Sequence, residues 1–192
     1  MGISVGVFGV SEYVEMIIER RSRLRSLSGL VISSLMWPAA VSEPGRRCSW
    51  LADGRCRQER AGAVLIADSE RCWEIPAHAG PVVVGPRGEL VMDRLTDPAR
   101  LLEFRAANVV DDAAEHEGRP AVVVAINGLD CPSVCERLLT LDAEFGVALI
   151  DHDLVTGREI RLTDVRFNAE PDPELFVYRP EPWRTLVHAQ PC

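Results

Sequence analysis

The sequence predicts an α+β fold, an antiparallel meander of about nine to eleven strands curling into a barrel or half-barrel, with one long early helix and one short one. Three observations lead there. Residues 11 to 24 carry an apolar stripe at helical spacing. From Ser28 onward the pattern switches to short apolar runs. Those runs are joined by hairpin-type turns such as Asp53-Gly54 and Glu117-Gly118.

The helix "SEYVEMIIERRSRL" runs from Ser11 to about Leu24, with Ser11 as N-cap. Glu12 and Glu15 fall in its first turn, and Arg20, Arg21 and Arg23 in its last, which suits the helix dipole. Val10, Tyr13, Val14, Ile17 and Ile18 form its apolar stripe. The stretch from Arg20 to Ser42 imitates an export signal, with arginines, an apolar run and small residues at "PAAVS". Its arginines, however, complete a helix that starts upstream, so it reads as helix end, turn and strand. "GLVISSLMW" (residues 29 to 37) is apolar at both parities and predicts a strand covered on both faces.

"RRCSWLADGRCRQER" predicts a hairpin on a two-residue Asp53-Gly54 loop, in which Cys56 faces Leu51 and Cys48 faces Glu59. The two thiols then lie on opposite faces. "AVLIAD" and "RCWEIP" pair around Ser69-Glu70, followed by a Gly- and Pro-rich stretch through Gly88. "TDPARLLEF" is a short helix capped by Thr96 or Asp97, with Pro98 in its first turn. A hairpin turning near Glu117-Gly118 and three further strands from Glu136 to Phe167 complete the ladder, with a bulge at Thr163-Asp164.

Composition narrows the function. The 192 residues suit one domain, and 47% apolar with 26% charged residues is ordinary for a folded protein. A net charge of −8 argues against nucleic acid, whose phosphates need a basic footprint. All 21 basic residues are Arg, so no lysine is present to form a Schiff base. No apolar run reaches the ~20 residues that span a bilayer. The six cysteines, at 48, 56, 72, 131, 135 and 192, form no C-x-x-C, and most are expected to be free thiols. The motifs of hydrolases, zinc proteases and nucleotide binders are absent, and neither metal nor cofactor is expected. Asp151-His152-Asp153 reads as a solvated hairpin tip, because neighbours in a strand point to opposite faces. Glu115-His116-Glu117 reads the same way. Arg46, Arg47, Arg55, Arg57 and Arg60 read as the solvated face of a hairpin, with an acidic partner or anionic lipid as the alternative. Trp37, Trp50, Trp73 and Phe104 read as core or cavity lining.

The segment from Leu138 to Glu181 resembles the lipoprotein-carrier family, the LolA-like and RseB-like proteins, in its actinobacterial branch. The match falls on Leu141, Asp142, Gly146, Val165, Phe167, Asn168, Asp172, Glu174, Leu175, Phe176 and Pro180. "LIADSERCWEI", "DPARLLEF" and "HEGRPAVVVAI" extend it upstream, in family order, from about residue 63. The resemblance implies a strongly curved, open half-barrel with the long N-terminal helix as a lid over an apolar cavity. Lining residues would be Val31, Leu35, Trp37, Trp50, Trp73, Val124, Leu139, Leu141, Val147 and Leu149. It implies a non-catalytic carrier of a lipid, acyl chain or other hydrophobic small molecule. Family members are exported. Residues 1 to 10 are too short for a signal peptide, which places the chain as written in the cytoplasm, or outside if its start lies upstream.

Two other functions fit the same fold. An enzyme would use the cavity to cyclise or isomerise a hydrophobic metabolite, drawing on His78, His152, Glu159 or Cys131. A regulator would bind a protein partner through the sheet edge. No pattern speaks to oligomeric state.

Overall fold

The structure is a computed structural model that describes residues 10–35, 41–102, 107–128 and 133–189. Among the described residues, thirteen strands belong to one predominantly antiparallel sheet: β1 (Ser26–Leu35), β2 (Val41–Ser42), β3 (Arg46–Leu51), β4 (Cys56–Arg60), β5 (Ala63–Ala67), β6 (Arg71–Pro76), β7 (Val82–Pro86), β8 (Ala107–His116), β9 (Arg119–Asn127), β10 (Cys135–Asp142), β11 (Ala148–Asp153), β12 (Arg158–Phe167) and β13 (Leu186–His188). Its order is β13-β7-β6-β5-β4-β3-β1-β12-β11-β10-β9-β8, with β2 paired to β1 off this path. The helices are α1 (Val10–Arg21), α2 (Val91–Thr96) and α3 (Ala99–Leu102), and a 3-10 turn spans Pro173–Phe176.

The residues group into two compact units. One comprises Met1–Arg23, Ile32–Glu43 and Arg94–Thr163, the other Leu24–Val31, Pro44–Asp93 and Asp164–Cys192.

Three expectations are corrected. The long N-terminal helix is not formed: α1 has 12 residues and stops at Arg21. There Ser22 N–H is shared between the carbonyls of Ile18 and Glu19, and Arg23 N–H turns back to Arg20. That tightening is how a helix end frays into strand. Of the apolar stripe, Ile17 is buried but Ile18 is 54% exposed, and the side chains of Val10, Tyr13 and Val14 lie outside the described set.

Strand β1 begins at Ser26, earlier than expected, and its covering is uneven. Leu27, Gly29, Val31 and Ser33 are buried, while Ser28, Leu30, Ile32 and Ser34 are half-covered. Met36 and Trp37 lie outside the described residues, as does Phe104.

The β3–β4 hairpin is shifted by one residue. Trp50 faces Cys56 and Cys48 faces Gln58. The loop holds three residues, Ala52 to Gly54, closed by Leu51 N–H to Arg55 O (2.9 Å), with Gly54 at φ 89°. A left-handed Gly closing a three-residue loop is the bulged alternative to the two-residue turn. Since one residue of slip turns every side chain over, Cys48 and Cys56 share one face, and both are fully buried.

The extra strands arise where local sequence signals are weak. β2 and β13 have two and three residues, and β7 lies in the Gly- and Pro-rich stretch. Helix α2 likewise has no counterpart among the expected elements. The expected turns at Ser69-Glu70 and Glu117-Gly118 are present, the latter with φ of 49° and 77°. Asp164 is left-handed at φ 52°, at the site expected to bulge. No helix among the described residues is long and apolar enough to cross a membrane.

Candidate functional site

In the first unit, one face of β9–β12 is a buried apolar surface. Antiparallel register aligns Val124, Leu139, Asp151 and Ile160 in one row across four strands. Val122, Leu141 and Ala148 form the next row. Val124, Leu139, Leu141, Val147 and Leu149 are all at most 1% exposed. Of the ten expected lining residues, register places Val124, Leu139 and Leu141 on this surface, and Leu149 lies two positions from Asp151 on β11. Leu35, also in this unit, is 44% exposed at the end of β1. In the second unit, Val31 and Trp50 are buried, and Trp73 is half-buried with its ring 6.2 Å from that of Tyr178. Trp37 lies outside the described residues.

The apolar face carries one charge that sequence reasoning missed. Asp151, read as part of a solvated tip, is 1% exposed. Strand β11 continues to Asp153, so Asp151 stands inside the strand and the turn begins only at Leu154. Arg94 of α2 brings Nη2 to 2.7 Å from Asp151 Oδ2, and Arg137 of β10 brings Nε to 3.3 Å from Oδ1. Arg137 also donates to Asp153 Oδ2 (3.1 Å). Asp153 Oδ1 accepts from Val155 and Thr156 N–H and so builds the turn. Burial raises the Asp153 pKa, but the Thr156 N–H and Arg137 outweigh it and hold the carboxyl below its ordinary range. Two guanidiniums balance two carboxylates, and Arg94 ties α2 to the sheet. The signal for this in the sequence was parity alone: Leu149 and Asp151 lie two apart, on one face of a strand.

Of the four catalytic candidates, two come together. His152 and Glu159 stand directly opposite each other on β11 and β12, on the face away from Asp151. Glu159 is held by Arg161 at 2.8 Å. His78 is exposed in the bend after β6, and Cys131 lies outside the described residues. His116, from the second acidic cluster, sets Nε2 3.2 Å from the Leu162 carbonyl. Among the described residues no group of three or more His, Cys, Asp or Glu side chains could hold a metal.

Arginines read as a solvated face are largely paired within the second unit. Arg55 bonds Asp53, Arg57 bonds Glu59 and the Leu175 carbonyl, and Arg60 bonds Glu74. Cys48, Cys56, Cys72 and Cys135 are free thiols. Burial pushes the Cys48 thiol up to about 12, and raises Cys56 further. A cleft of about 380 Å³ lies in this unit beside Glu70, Arg71, Gly85, Pro86 and His188; no expected lining residue borders it.

Some of the residues that carried the family resemblance build turns. Asp142 accepts the N–H groups of Glu144 and Phe145, and Gly146 is left-handed at φ 66°. Asn168, at φ 51°, accepts Arg25 N–H at 2.7 Å. Asp172 caps the 3-10 turn that buries Phe176.

No family's sequence profile matches the chain, and no curated protein matches it in sequence. Solved structures do. An uncharacterized conserved protein from Thermus thermophilus superposes with a TM-score of 0.58 at 10% identity, covering 92% of this chain and 99% of that one. The Pseudomonas aeruginosa MucA/MucB complex gives a TM-score of 0.48 at 17% identity, over 88% of this chain and 61% of that one. A LolA superfamily protein from Nitrosomonas europaea gives 0.41 at 14% identity, over 89% and 98%. The likeness is one of fold, and it singles out no actinobacterial branch.

Proposed function

We propose that this chain is a non-catalytic binding protein, holding a lipid or acyl chain against the apolar face of β9–β12. The observation that supports this is that the face is buried and its one charge, Asp151, is paired to a short helix. Arg94 reaches Asp151 from α2, a helix of six residues, and α3 has four. Arg21 pairs with Asp97, between them, at 2.9 Å. Helices this short have little stability of their own, so their seating depends on packing and on these ion pairs. An acyl chain entering beneath them would replace one apolar contact with another, gaining ~0.8 kcal/mol per buried CH₂ against water. The sequence resemblance to lipoprotein carriers points the same way.

The test is a polarity-sensitive fatty-acid probe. It should bind, be displaced by long-chain lipids, and bind several-fold tighter to an Arg94→Ala variant in which the cover is released. Folded protein that ignores every such probe sinks the reading. An enzyme reading is the second, because the register sets His152 beside Glu159. It would require turnover of an apolar metabolite, lost in His152→Ala while probe binding survives.

A further inference from the structure

Strand β13 runs parallel to β7, whereas β3 to β7 are joined in antiparallel pairs. It is also held differently from the segment before it. Upstream, Phe176 is 3% exposed, Tyr178 lies against Trp73, and Arg184 donates to the Pro76 carbonyl at 2.9 Å while ion-pairing with Glu181. Those contacts fasten the chain as far as Arg184. Beyond it, Leu186, Val187 and His188 are all exposed.

What holds β13 is backbone. Val82 N–H donates to Thr185 O (2.9 Å), and Ala189 N–H donates to Val84 O (2.8 Å). Val187 stands beside Val83, and the two are 44% and 39% exposed. A strand edge joined by main-chain bonds, with its side chains left in water, accepts any extended chain of the right direction.

We propose that the β7 edge is a strand-addition site for an extended segment of another protein, and that Leu186–His188 occupies it as a displaceable stand-in. The occupant's chemistry follows from the stand-in: a strand parallel to β7 whose residues take the places of Leu186 and Val187 as branched aliphatics. A second copy exchanging its own β13 fits less well, because Arg184 is seated one residue before Thr185. Peeling β13 from its hinge at Arg184 opens the edge without moving that anchor.

Hydrogen exchange on the full chain tests the first half. By strand alternation the amides of Val82 and Val84 point to β13, and those of Val83 and Gly85 to β6. Val82 and Val84 should exchange at least tenfold faster than Val83 and Gly85. Equal protection across the four overturns the stand-in. The second half uses a fluorescent peptide of the sequence Arg184–Ala189 as probe. It should bind at least tenfold tighter to an Ala189→Pro variant, which lacks the donor to Val84, than to the unaltered chain. A peptide with proline in the place of Ala189 should bind more weakly than the unaltered peptide. Equal binding to both proteins, or none to the variant while its far-ultraviolet spectrum is native, overturns the site. A dimer of the variant, with no peptide bound, would assign the edge to a second copy and overturn the proposal as well.

Discussion

Gly146 lies directly against Ile17: a Cβ added to the glycine would meet the Ile17 carbonyl oxygen at 3.3 Å and its Cγ2 at 3.4 Å. This contact seats α1 on the turn between β10 and β11. The same glycine is left-handed at φ 66°. Gly146→Ala therefore suffers twice, from backbone strain of ~1–2 kcal/mol and from the displaced helix. The expected loss is about 2–3 kcal/mol in denaturant unfolding. A loss under about half a kcal/mol would show that α1 does not rest on this turn.

Asp142 organises that turn from the other side. It is 1% exposed and accepts from Glu144 N–H (3.0 Å), Phe145 N–H (2.9 Å) and Arg119 Nε (2.8 Å). Asp142→Ala removes the acceptor of these three bonds and should cost ~3–5 kcal/mol. Asp142→Asn keeps one acceptor oxygen and should recover roughly half of that. Similar unfolding midpoints for the two variants would refute this account of the turn.

These two residues also show what the sequence could reveal. Asp142 and Gly146 entered the sequence reading only through the resemblance, yet turn chemistry of their kind is legible because it is local: one side chain caps the next N–H groups, and only glycine relaxes at positive φ. The hairpins at Ser69-Glu70 and Glu117-Gly118 were legible for the same reason. Asp53-Gly54 was only half so. The dipeptide marks a turn but does not choose between two-residue and three-residue loops, and that choice decides which face Cys48 and Cys56 occupy. Asp151 was hidden because its partners, Arg94 and Arg137, come from other elements, α2 and β10. Edge strand β13 was hidden because its pairing is through backbone and leaves no periodicity to read.

The corrected hairpin makes a chemical prediction. Cys48 and Cys56 are both 0% exposed, and burial raises both thiol pKa values, Cys48 to about 12. A raised folded pKa gives stability that is complete below the unfolded value near ~8.5 and is lost as pH rises above it. Each thiol should remove about 1.4 kcal/mol of stability per pH unit above that point. Urea midpoints should fall steeply from about pH 9 to 10.5, and Cys56→Ala should roughly halve the slope. At about pH 8 the folded protein should leave both thiols unmodified by a maleimide that labels them fully in urea. Rapid labelling of Cys48 in the folded state would contradict the register.

The buried charge gives the last prediction. Asp151 is enclosed between Arg94 at 2.7 Å and Arg137 at 3.3 Å, on a face otherwise made of Val124, Leu139, Leu149 and Ile160. A buried pair broken on one side leaves an uncompensated charge, so Asp151→Ala should cost ~3–5 kcal/mol. Removing the whole cluster is a different experiment. Taking a carboxylate out of water costs several kcal/mol, which its partners do little more than repay. Asp151→Leu combined with Arg94→Leu and Arg137→Met should thus return most of the stability, within ~1–2 kcal/mol of the parent. If the triple variant is as unstable as Asp151→Ala, the cluster's value lies in packing that leucine and methionine do not reproduce. If it is stable and its fatty-acid probe affinity is unchanged or higher, the charges serve the seating of α2 and take no part in holding the ligand.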